Sequence, residues 1–184
     1  MRGYFWMDLF EAIKGRRSIR AFRSTPIPEA LLEKILEAAS SAPSAGNFQA
    51  WEFIVIKDAS LKSELYRKAT DHPFICDAPI NIVVCVNQAW YSEGYGNRGK
   101  ELYSICDAAA ATENIHLAAH GLGLGSCWVG DFKDAVVSEL LGLPPNVKPV
   151  AIVPIGYPDM TPSPRVKRPL GDSIHIEKYG VKKA

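Results

Sequence analysis

The apolar positions change period along the chain, and each change marks an element. Residues 8–14 carry Leu9, Phe10 and Ile13 at helical spacing, with Asp8 placed to cap the start and Gly15 to stop the end. Pro26 and Pro28 keep 22–28 extended, and Pro28 then sits in the first turn of a helix that reaches Ser40. Leu31, Leu32, Ile35, Leu36 and Ala39 give that helix one apolar face, with Glu33, Lys34 and Glu37 outward. Residues 52–57 (EFIVIK) and 80–86 (INIVVCV) read as strands, the second apolar throughout and therefore buried. Between them 59–69 reads as a helix capped by Asp58 and broken by Asp71-His72-Pro73, a polar turn that leaves His72 at the surface. Residues 103–120 form the longest helical segment, with Ile105, Ala108, Ile115 and Ala119 on its inner face. Its many alanines suit close packing against another helix, including one across a dimer interface. Residues 134–141 make a short helix ending at Gly142, and 150–155 (VAIVPI) a further strand.

Two stretches fit neither period. Residues 87–100 (NQAWYSEGYGNRGK) are aromatic and glycine-punctuated, the composition of a mobile lid or of a plain surface excursion. Residues 158–184 are proline-rich and basic, with Arg165, Lys167 and Arg168, and resume a strand-like pattern only at 173–176. A tail this long without a core of its own needs something to lie across, and a partner subunit is the natural support.

Length and composition fit one soluble domain spanning residues 1–184. A net charge of +1 leaves no nucleic-acid footprint, and no apolar run is long enough to cross a bilayer. The N-terminus has no secretory signal pattern, and Met7 is an alternative start that would make the first residues an extension. Cys76, Cys85, Cys106 and Cys127 form no C-x-x-C pair and read as buried free thiols of a cytoplasmic protein.

Against this near-neutral background Arg16-Arg17-Ser18-Ile19-Arg20 is a local concentration of charge. Guanidinium forks and a hydroxyl suit a phosphate, although a solvated basic turn has the same composition. The loop Ala42-Pro43-Ser44-Ala45-Gly46-Asn47-Phe48-Gln49-Ala50-Trp51 carries two amides and a hydroxyl beside aromatic rings. Residues 121–125 (GLGLG) follow a helix with G-x-G-x-G spacing, so they are not a dinucleotide fingerprint, but they let backbone approach a planar ligand. Glu113, His116 and His120 share a helix face, yet lack the Glu directly after the first His and the second Glu-x-x-His that metal sites of these kinds require, so no metal is expected.

Together, residues 16–22 (RRSIRAF), residues 42–51, residues 107–130 and Lys167-Arg168-Pro169-Leu170 resemble the nitroreductase-like flavoprotein family, close to its short single-domain members. That resemblance implies an α+β fold, with a mostly antiparallel central sheet flanked by helices. It also implies an intertwined homodimer with FMN at the interface and the C-terminal tail of residues 158–184 exchanged onto the partner. By position Arg16 and Ser18 would hold the FMN phosphate with Lys167 or Arg168, and Arg17 would contribute through its backbone. Arg20 would stabilise the negative charge of reduced flavin at the N1–C2=O edge, and no protein group would be needed as acid or base. Pro43, Ser44, Ala45, Asn47 and Gln49 would reach in from the other subunit, and Trp128, Val129 and Gly130 would line the ring near N5. The implied activity is NAD(P)H-dependent reduction of quinones or nitroaromatics, with ping-pong hydride transfer through flavin N5. A flavin-destroying or dehalogenating specialist and a non-catalytic FMN-binding dimer are the alternatives. Ala45 and Ala50 depart from the Ser and Pro frequent in relatives, which removes a hydroxyl and loosens the loop.

Overall fold

A computed structural model describes residues 7–91 and 94–182. The elements run α1 (Leu9–Gly15), α2 (Glu29–Ser40), β1 (Trp51–Ile56), α3 (Ala59–Ala69), α4 (Phe74–Asp77), β2 (Ile80–Asn87), α5 (Gly96–Arg98), α6 (Ser104–Gly121), β3 (Gly125–Ser126), α7 (Asp134–Leu141) and β4 (Val147–Gly156). The four strands form one antiparallel sheet in the order β1-β2-β4-β3.

Burial explains the middle of the sheet. β2 and β4 have neighbours on both edges and helices on both faces, so they are mostly apolar without alternation, and buried Asn81 donates its side-chain amide to the Ile75 carbonyl. Ile82, Val84, Ala151 and Val153 pack under α2 and α6 with Leu32, Ile35 and Ile115. Val83, Cys85 and Ile152 face the other way, onto α3, α4 and α7 through Leu65, Ile75 and Val137. The result is an α+β sandwich with the sheet in the middle, as the strand and helix periods require.

Several helix ends carry the capping chemistry that local sequence dictates. Asp8 accepts from the Phe10 and Glu11 amides, Asp58 accepts from the Leu61 amide, and Gly142 closes α7 in the left-handed region at φ 64°. β4 begins at Val147, earlier than its sequence suggests, because a register shift between Val84 and Cys85 places Pro149 opposite Cys85. A proline has no N–H to contribute, and an irregularity in the ladder is where it is tolerated.

Other expectations need correction. Cys106 is exposed, so only three of the four thiols are sheltered, and none is disulfide-bonded. Residues 173–176 form no strand, since no sheet edge lies beside them. A single turn, Leu170–Ser173, stands there, and the chain closes on itself through Glu177 and Gly180 at positive φ. The described part of 87–100 is a series of short turns packed inward on Tyr91, which is fully buried. The apolar residues of α1 are not covered: Leu9, Phe10 and Ile13 are 60%, 66% and 51% exposed, and Ala12 is the residue it buries. Among the described residues no helix is long and apolar enough to cross a membrane.

Candidate functional site

The arginine segment leaves α1 extended and runs beside β3. Ser18 bridges Ser126, and the Ile19 amide donates to the Ser126 carbonyl at 2.9 Å. Extended backbone sends alternate side chains to opposite sides. Ile19 is therefore buried on Gly125, while Ser18 and Arg20 turn outward. The start of the tail continues this stitching. Asp159 donates its amide to Ala21 O, Arg23 donates to Tyr157 O, and the Arg20 amide donates to Met160 Sδ.

An open cleft of about 550 Å³ results, lined by Arg17, Ser18, Arg20, Met160, Ser163 and Arg165. A second hollow of about 330 Å³ adjoins it, with Arg16, Ile19, His120 and Ser126 among its walls. Arg16 is steadied by Glu113 at 3.5 Å. The Arg17 guanidinium donates back to the carbonyls of Lys14 and Arg16 at 2.6 and 2.8 Å, which fixes the helix exit.

His116 lies beneath this surface, 2% exposed, with Nδ1 2.7 Å from Ser126 Oγ and its ring stacked on Trp128. Burial first, and the charge of Arg16 second, push its pKa down to about 4, so the imidazole is neutral at neutral pH. The same two causes, with Arg17, lower His120. Burial pushes the Cys127 thiol up, against the pull of Arg20 and Ser18. The positive charge here is thus carried by guanidinium groups, the form suited to an anion. Glu113 faces Arg16 and His116 is engaged by Ser126, so Glu113, His116 and His120 do not assemble as metal ligands.

The 43–49 loop is built by strain held in place. Gly46, Asn47 and Gln49 all have positive φ, at 58°, 58° and 51°. For Gln49 this is a conformation that costs free energy and needs support. Ser44 Oγ accepts from the Gln49 amide at 3.0 Å, and Asp107 accepts from the Ala45 amide at 3.2 Å. Phe48 packs against Tyr91 and Tyr95 with ring centroids 5.2 and 5.8 Å apart. Pro43, Asn47 and Gln49 remain exposed, presented outward.

The structure brings Arg16, Arg17, Ser18 and Arg20 together and connects them through Ser126 to Trp128, Val129 and Gly130. Trp128 and Gly130 are exposed, whereas Val129 is 2% exposed and its side chain belongs to the core. The 43–49 loop is not brought to them. It hangs on Asp107 near the start of α6, while Arg16 pairs with Glu113 and shares a hollow with His120, positions about 9 and 20 Å further along the helix. Lys167 and Arg168 lie beyond the cleft on the exposed tail, where Arg168 donates to Ser173. Arg165 is the tail cation that lines the cleft. Ser126, Asp107, Met160 and Ser163 were not visible as site residues in the sequence. Only Arg165 stood out there, as part of a basic tail.

The nitroreductase family profile matches residues 13–75 and 66–157. The chain belongs to the nitroreductase family. It is accordingly an NAD(P)H-dependent reductase. A Methanothermobacter thermautotrophicus protein, provisionally named an NADH dehydrogenase/NAD(P)H nitroreductase, is 36% identical over 94% of this chain and 88% of its own. A nitroreductase family protein from Clostridium novyi superposes with a TM-score of 0.77 at 30% identity, covering 96% of this chain and 97% of that one. The NADPH:FMN oxidoreductase of Vibrio harveyi, solved in complex with NAD+, superposes with a TM-score of 0.87 at 26% identity over 95% of this nitroreductase and 79% of that chain.

Proposed function

We propose that this nitroreductase works as a cytoplasmic homodimer that binds FMN and carries reducing equivalents from NAD(P)H to quinone or nitroaromatic acceptors in ping-pong order. The observation that carries the proposal is the cleft in which Arg17, Ser18, Arg20, Ser163 and Arg165 converge. Several guanidinium forks and two hydroxyls fit a phosphate monoester. Ser18 in the cleft and Arg16 in the adjoining hollow would hold the phosphate, with Arg165 closing on it from the tail in preference to Lys167 or Arg168. Bound FMN would supply the two-electron chemistry, accepting hydride from the nicotinamide and passing it to the acceptor. Arg20 would set a fixed cation beside the charge that reduction builds up. Trp128 and Gly130, exposed next to the cleft, would line the ring.

Dimerisation is supported by the separation across α6. Pro43, Ser44, Ala45, Asn47 and Gln49 line neither hollow beside the arginines of their own chain, so a second copy would complete each site. The uncovered apolar face of α1 and the tail residues Val166, Leu170 and Tyr179, at 100%, 74% and 94% exposure, offer the surface for it. The tail would then lie on the partner beyond its stitched start.

The visible spectrum of the purified protein, before and after anaerobic NADH or NADPH, tests this reading together with a solution mass. Flavin bands that bleach on adding the nucleotide, in a dimer, are the expected result. A protein that stays colourless after reconstitution with FMN, or that neither nucleotide bleaches, would sink it. Arg16→Ala is expected to weaken FMN binding by about 10- to 100-fold, the worth of one charge-assisted hydrogen bond. Arg20→Ala is expected to slow bleaching by about tenfold or more in stopped flow, and unchanged kinetics would remove Arg20 from its role.

A further inference from the structure

Asp107 is a carboxylate buried to 6% exposure at the start of α6, and no step of the proposed reaction uses it. It touches two separate segments. Both of its oxygens accept from the Ala45 amide at 3.2 Å, and Oδ2 also accepts from the Tyr91 hydroxyl. Ala45 opens the loop whose backbone is strained at Asn47 and Gln49, and Tyr91 ends the turn Gln88–Tyr91 with no exposed surface. The two segments also share an apolar seam. Phe48 packs on Tyr91 and Tyr95, and Tyr95 packs edge-on to Tyr103. The seam admits little extra volume: a Cβ on Gly99 would lie 2.6 Å from Tyr95 Cβ, and one on Gly46 would lie 3.0 Å from Phe48 and Tyr95.

A buried carboxylate is costly unless hydrogen bonds compensate it, and its pKa is raised by burial while the Ala45 amide pulls the other way. Ordinary core packing would be served by an apolar side chain. A carboxylate that bonds two donors on two segments far apart in sequence adds to their apolar seam something an apolar residue cannot, a directional fix on their relative position.

We propose that Asp107 is a positioning residue that ties the aromatic turns after β2 to the strained 44–49 loop, holding Asn47 and Gln49 in the geometry in which they meet the cofactor. This rests on the flavin reading of that loop. Without the tie, the left-handed residues relax toward ordinary backbone and the two amides lose their aim. Tyr91 is the second half of the device, since its hydroxyl is the link by which the aromatic turns register with the carboxylate.

Hydrogen–deuterium exchange on the cofactor-free protein, together with FMN titration, tests the proposal in Asp107→Ala, Asp107→Asn and Tyr91→Phe. In Asp107→Ala, amides of 44–50 and of 88–91 are expected to exchange about tenfold faster or more, while those of β2 and β4 keep their rates. FMN affinity should fall by about tenfold or more, with a changed visible circular dichroism of bound flavin. Asp107→Asn, which keeps an acceptor oxygen, should recover most of both effects. Tyr91→Phe should loosen both segments although it alters only one. If Asp107→Ala does not fold, the other two variants decide. The proposal is overturned if folded Asp107→Ala keeps wild-type exchange in 44–50 and wild-type FMN affinity. It is equally overturned if exchange rises uniformly over the whole chain, or if Tyr91→Phe loosens only its own segment. A wild-type protein that binds no FMN overturns the functional reading and this inference with it. Wild-type binding with no change in the variants overturns this inference alone.

Discussion

Gly125→Val is expected to lower the unfolding midpoint by about 10 °C and to cost most of the FMN affinity. Gly125 is the first residue of β3, paired with Gly156, and a Cβ placed on it would lie 2.6 Å from Ile19 Cγ1 and 2.8 Å from Ile19 Cβ. Ile19 cannot swing away. Its β-branched side chain has few rotamers, its ring of neighbours is the buried core, and its amide is bonded to Ser126. Relief requires the whole arginine segment to move off the sheet. Overpacking of this kind costs about 1–3 kcal/mol, and a valine this close to another Cβ belongs at the upper end. At about 2–4 °C per kcal/mol for a chain of this size, the shift in midpoint follows. The same movement carries Ser18 and Arg20 with it, so stability and cofactor binding fall together. Gly125→Ala should show the smaller effect of the same sign. Thermal unfolding and FMN titration of Gly125→Val that match the wild type would show that Ile19 does not brace the arginine segment.

The second large effect is a loss of stability in acid that traces to His116. Its folded pKa is about 4, below the ordinary value of 6.5. A depressed histidine binds its proton more readily in the unfolded chain, so folding stability is complete above about pH 6.5 and declines as the pH falls toward 4. A shift of this size amounts to about 3 kcal/mol by pH 4, undiscounted for solvent because the side chain is buried. The groups facing it are Arg16, which disfavours the cation, and Ser126, whose hydroxyl serves the neutral ring. Carboxylates titrate over the same range, so the informative quantity is a difference. The stability advantage of wild type over His116→Gln, from urea unfolding, should shrink by about 3 kcal/mol between pH 7 and pH 4. Parallel curves for the two proteins would mean that His116 does not titrate as its burial demands.

Both effects depend on contacts that no local pattern announces, and they show where sequence reasoning stops. The caps at Asp8 and Asp58 and the left-handed stop at Gly142 were legible because each is decided within four residues of chain. The buried strands were legible because a run such as Ile80–Asn87 has no polar face to offer solvent. The arginine cluster stood out because charge that dense is rare in a chain of net charge +1. Less legible was what covers α1: its apolar spacing reads as a helix, and in the fold Leu9, Phe10 and Ile13 face outward. Periodicity reports that a face is apolar and is silent on what covers it. The two-residue strand β3 was missed because nothing in Gly125-Ser126 marks a strand. It exists through β4 on one side and Ser18 on the other. Arg165 was undistinguished from Lys167 and Arg168 for the same reason, since all three sit on one extended, proline-rich tail and only its path selects among them.

What the amino-acid order decided alone was the kinds of element, their ends, the apolar middle of the sheet and the membership in a flavoprotein-like family. The elements, their ends and the apolar strands are set by neighbours a few residues apart, where spacing and side-chain chemistry are sufficient, and the family resemblance by motifs that stand in one order along the whole chain. The tertiary structure alone decided that Ile19 rests on Gly125, that His116 is sealed beneath Arg16, and that one buried carboxylate spans two loops. Ser18 and Ser126 become neighbours only when the chain between them has folded, and the free energy of such a meeting is written in the packing of both partners together.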